Sequence, residues 1–61
     1  MPAEFTFGSD TNLRHFTDAI EEAGGTVRET DRVRRRCQAE GIDRNQIVEL
    51  AEANGGRVEW T

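Results

Sequence analysis

Four carboxylates recur at matched positions in this chain, Asp18 and Glu21 and, thirty-one residues later, Glu49 and Glu52, and Glu22 adds a fifth beside the first pair. Side chains three apart on a helix are neighbours, with Cβ atoms about 5–6 Å apart. Each pair can therefore meet a basic group as a unit, much as phosphates would at an arginine-rich site. Glu21 and Glu22 are expected in the last turn of their helix, where the helix dipole disfavours negative charge. Their presence there runs against helix stability and points towards use. The alternative is a face kept acidic for solubility or salt adaptation.

Other residues capable of chemistry are few. His15 is the only histidine and stands beside the apolar Phe16. Cys37 follows three arginines, which would lower its pKa and raise its reactivity. Its spacing from Val33, however, puts it on a buried stripe where a small apolar residue is wanted. One Cys and one His cannot make a structural zinc site, and no glycine-rich loop has a phosphate-binding pattern. No catalytic residue, metal or cofactor is expected, and the chain is not read as an enzyme.

The arginines suggest a second chemistry. In "RVRRRCQAEGIDRNQIVELAEA", Cys37, Gly41, Ile42, Ile47 and Leu50 fall where a helix-turn-helix wants a small residue, a turn glycine and three core apolars. The segment resembles that motif over residues 31–53. The resemblance implies a DNA-binding regulator in which Arg44, Asn45 and Gln46 open a recognition helix and Arg34 and Arg35, with Arg32 and Arg36, meet phosphate. Arg36 and Glu40 stand where the first helix should present apolar residues. The acidic chain also lacks the basic footprint of a DNA binder.

The elements that must position these groups can be read from periodicity. "EFTFG" alternates, placing Phe5 and Phe7 on one face of a strand. "GSDTN" follows, with Asp10 or Asn12 as helix cap, and then Leu13, Phe16, Ile20 and Ala23 recur at helical spacing. Val27 anchors a second strand, placed at a sheet edge because Glu29 shares its face. Thr30 or Asp31 caps a helix carrying Val33 and Cys37, ended by Gly41. Asp43, with Gln46 at capping-box spacing, starts a third helix with Ile47, Leu50 and Ala51 inward. "RVEWT" closes as a strand with Val58 and Trp60 inward.

Shifted by thirty-one, Phe16 falls on Ile47, Ala19 on Leu50, Gly24-Gly25 on Gly55-Gly56, Val27 on Val58 and Thr30 on Thr61. Each copy is a helix, a two-glycine stop and a strand, the glycines being needed where the chain leaves a helix through a left-handed conformation. The fold class is α+β: one domain over residues 1–61 in the order β-α-β-α-α-β, a three-stranded sheet with helices on one face. The first two strands would be parallel if they are neighbours.

Composition sets the remaining bounds. All eight basic residues are Arg, the formal net charge is -4, and that excess lies in residues 1–27. An all-arginine set fits a high-GC genome or salt adaptation. A single cysteine, no membrane-length apolar run and no signal-peptide pattern at Met1–Thr11 lead to an expected cytoplasmic location. A domain of this size buries only about 60% of its unfolded surface, so a homodimer or a tight partner would add stability. The favoured reading is a small acidic, non-enzymatic binding protein whose partner presents a basic, nucleic-acid-binding surface. In size, charge and lack of motifs it is similar in type to phage-borne inhibitors such as anti-CRISPR proteins. An adaptor role fits the same features.

Overall fold

The computed structural model describes residues 3–60. In chain order they form β1 (Ala3–Thr6), α1 (Asp10–Glu22), β2 (Thr26–Asp31), β3 (Arg36–Glu40), α2 (Arg44–Ala53) and β4 (Arg57–Trp60). The strands make one antiparallel sheet ordered β2-β3-β1-β4. β1 and β2 thus run parallel with β3 inserted between them, the split β-α-β topology of ferredoxin-like folds.

The core follows from alternation on the strands and the 3.6-residue period of the helices. Phe5 pairs with Cys37 on β3 and with Val58 on β4, so these three side chains share a face. Onto that face α1 sets Leu13, Phe16 and Ile20, and α2 sets Ile47 and Ala51. With Phe5, Phe7 and Cys37 they form one buried cluster. Phe16 is fully buried between Phe5 and Phe7, its ring centroid 5.2 Å and 4.9 Å from theirs. Both helices therefore cover the same side of the sheet.

The two glycine pairs end the helices as expected. The Gly25 N–H donates to Ile20 O at 2.8 Å and the Gly24 N–H to Glu21 O at 3.1 Å. Thirty-one residues on, Gly56 donates to Ala51 O at 2.7 Å and Gly55 to Glu52 O at 3.1 Å. These paired bonds are a Schellman stop, which requires a left-handed residue after the helix. Gly24 and Gly55 supply it, at φ 93° and 72°. The second glycine serves close approach. A Cβ on Gly56 would lie 2.5 Å from Phe7 Cε2, and one on Gly25 2.8 Å from Ile20 Cγ2.

The segment 32–40 is where the expectation fails. Instead of a helix it is a turn and then β3, so among the described residues the sheet has four strands, the helices number two and the order is β-α-β-β-α-β. Asp31 does act as a local cap: its Oδ1 accepts the N–H groups of Val33 at 3.0 Å and Arg34 at 3.2 Å. Those bonds are common to a helix N-terminus and to an Asx turn. The chain then reverses, with Arg35 at φ 54°. Val33, expected inward, is 87% exposed at the turn, whereas Cys37 is buried on a central strand. A helix here would have buried a stripe two residues wide. As a strand the segment joins the ladder and packs Cys37 and Ala39 on the core. Residues 31–53 consequently contain one helix, and the helix pair of a helix-turn-helix is absent.

Smaller corrections follow. Ser9, not Asp10 or Asn12, caps α1, its Oγ accepting the Asn12 N–H at 3.1 Å. Ala23 is the exposed C-cap of α1. Asp43 is the N-cap of α2 but makes no side-chain capping bond. Trp60 remains 52% exposed. β2 is an edge strand as its polar face implied, and β1 and β2 are not neighbours. Thr61 lies outside the described residues.

Candidate partner-binding face

α1 and α2 are amphipathic, and burying Leu13, Phe16, Ile20, Ile47 and Ala51 turns their polar sides outward. Asp18, Glu21, Glu22, Glu49 and Glu52 are all exposed there. The end of α2 approaches the start of α1, a Cβ on Gly55 being 3.2 Å from Asn12 Nδ2. Neither helix has a basic residue in its last turn. Glu21, Glu22 and Glu52 thus add to the negative ends of the helices rather than offsetting them.

Layer by layer, the charge divides more sharply than it does along the chain. The helices hold Asp10, Asp18, Glu21, Glu22, Glu49 and Glu52 against Arg14 and Arg44, while the strands and connections hold six carboxylates against six arginines. The net charge of -4 therefore resides on the helical layer.

The open face of the sheet is different in kind. Arg36 sits between Glu4 at 3.8 Å and Glu59 at 3.7 Å, and Arg28 meets Glu40 at 3.5 Å. These are the ion pairs among the described residues, and none involves a helix carboxylate. The sheet's charges are partly neutralised in place, whereas those of the helices are left to solvent.

The alternative DNA-binding residues are not brought together. Arg34 is in the exposed turn before β3, and Arg35 is tied back, its Nε donating to Phe7 O at 3.0 Å. Arg44, Asn45 and Gln46 open α2, past the other end of β3. A five-residue strand separates the two groups by about 17 Å. Arg44 is engaged with Trp60, its guanidinium carbon 4.6 Å from the ring centroid, a cation–π contact. Sequence reasoning missed this contact because it joins the start of α2 to the last strand.

Cys37 is 1% exposed, and burial pushes its thiol from 9.0 up to about 11. At neutral pH it is a protonated core side chain, and the neighbouring arginines do not activate it. Among the described residues no group of three or more His, Cys, Asp and Glu is placed to hold a metal, and no helix is long and apolar enough to cross a membrane. Comparison with protein-family models, with curated proteins and with solved structures finds no match for this chain.

Proposed function

We propose that the protein is a non-enzymatic binding protein that docks its helical layer against a basic surface of another protein, acting as an inhibitor or adaptor. A groove that ordinarily holds nucleic acid is the partner surface this chemistry fits best, because exposed carboxylates can replace phosphates opposite arginine. The observation that carries the reading is the location of the net charge on one layer, in carboxylates that no arginine of the chain pairs. The low charge imbalance of the open sheet face favours the helical side over it. An inhibitor of the kind carried by phages is the finer form of this proposal.

The test is capture of partners from a lysate by the wild type, by Glu21→Lys with Glu22→Lys, and by Glu49→Lys with Glu52→Lys. Exposed substitutions usually change stability by less than about 0.5 kcal/mol, so both variants should melt like the wild type. Each should lose most of the captured protein, because association depends on charge complementarity. Duplex DNA should compete for the same captured protein. Capture unchanged in both variants would refute the assignment of the face.

A further inference from the structure

The sheet has two edges, and they differ. The β2 edge is irregular: its pairing to β3 shifts register between Arg28 and Asp31, and Glu29 takes φ 52° there. Such a bulge blunts an edge against further pairing. β4 has no such protection. It pairs with β1 in unbroken register from Ala3↔Trp60 to Thr6↔Arg57, and among the described residues no strand pairs with its outer side.

The residues along that edge read Gly56-Arg57-Val58-Glu59-Trp60, and they are self-complementary in an antiparallel sense. Let a second copy pair with β4 about a two-fold axis through Val58. Arg57 of each copy then stands opposite Glu59 of the other, and Val58 opposite Val58. Trp60 comes opposite Gly56. On the open face this makes two cross-strand ion pairs between groups about 4.5–5.5 Å apart at Cβ. Arg57 is exposed and has no carboxylate within ion-pair distance among the described residues of its own chain. Glu59 meets Arg36 through Oε2 and is half exposed, leaving Oε1 for a second guanidinium. On the core face Trp60 comes opposite Gly56, which has no side chain of its own to oppose it and whose Cα packs against the Phe7 ring.

Other registers are worse. An axis through Glu59 sets that carboxylate against its own copy. A slip by one residue sets Arg57 opposite Val58 and places the two helical layers on opposite sides of the joined sheet.

We propose that β4 seats a second copy of this chain in this register, giving a two-fold symmetric dimer with one continuous sheet. The interface is isologous, as a self-complementary edge requires. It stabilises a domain too small to bury a large core of its own, and it sets two acidic helical layers side by side on one face.

Analytical ultracentrifugation of the full chain tests this. The wild type should sediment at twice the 6.9 kDa chain mass. Arg57→Glu sets Glu against Glu59, and Glu59→Arg sets Arg against Arg57. Each variant alone should dimerise at least about tenfold more weakly than the wild type, a change of about 1.4 kcal/mol. Mixed one to one they should regain the dimer, because every opposed pair in the mixed species is again of opposite sign. Circular dichroism checks that each variant is folded, and Arg57→Ala, which removes both cross-strand ion pairs without reversing a charge, gives an independent weakening if one is not. A wild type that stays monomeric up to about 1 mM overturns the proposal. So do single variants that dimerise like the wild type, or a mixture that does not recover.

Discussion

Raising the pH is a selective perturbation of this molecule. The chain contains neither Tyr nor Lys, and arginine does not titrate below about pH 12. Between pH 9 and 11 the side chain that titrates is therefore Cys37. Its folded thiol is raised from 9.0 to about 11 because burial in the core disfavours the thiolate. Above pH 9 the unfolded chain loses the proton while the folded chain keeps it. The unfolded state then binds fewer protons, so stability falls as pH rises through the window from 9 to 11. At pH 10 the unfolded thiol is mostly ionised and the folded one mostly protonated, which corresponds to a loss on the order of 1 kcal/mol relative to neutral pH. That is a large share of the stability of a small domain, typically about 5 kcal/mol. Urea unfolding followed by circular dichroism at neutral pH and near pH 10 measures it. Cys37→Ala should be weaker at neutral pH because it leaves a cavity, but nearly flat across the window. A wild type with no alkaline loss, or an equal loss in Cys37→Ala, would refute the buried-thiol reasoning.

Two substitutions test the packing. Gly56→Ala should destabilise more than Gly55→Ala, because its Cβ would lie 2.5 Å from the buried Phe7 ring, whereas Gly55 meets only the Asn12 side chain at 3.2 Å and carries the strain of its φ of 72°. Overpacking of this kind typically costs about 1–3 kcal/mol, and equal melting temperatures for the two variants would contradict the close approach. Phe16→Ala removes the ring held between Phe5 and Phe7 and should cost about 3–5 kcal/mol, enough to unfold much of the population at room temperature in a denaturation assay.

The sequence alone settled the parts whose cause is local. α1 and its glycine stop were legible because Leu13, Phe16 and Ile20 recur at helical spacing and Gly24-Gly25 has one dominant structural use. The repeat at Gly55-Gly56 ended α2 by the same chemistry, and Phe5 and Phe7 marked a strand by alternation. The exposure of the five helix carboxylates followed from the same periodicity, since they lie opposite the apolar stripes.

Only the tertiary structure decided residues 31–40. An arginine-rich run is locally compatible with a helix, and Asp31 makes bonds that serve a helix start or an Asx turn equally. What distinguishes the two outcomes is the hydrogen-bonding edges on either side of β3, one offered by β2 across a tight hairpin and the other by β1, which is far from this segment in sequence. β3 fills the place between them and buries Cys37 against Phe5. That choice removes the helix pair needed for a helix-turn-helix, parts Arg34 from Arg44 and leaves β4 at an open edge. It also gathers the net charge onto the helices. Strand order depends on contacts between distant residues, and periodicity, which is local, carries no record of them.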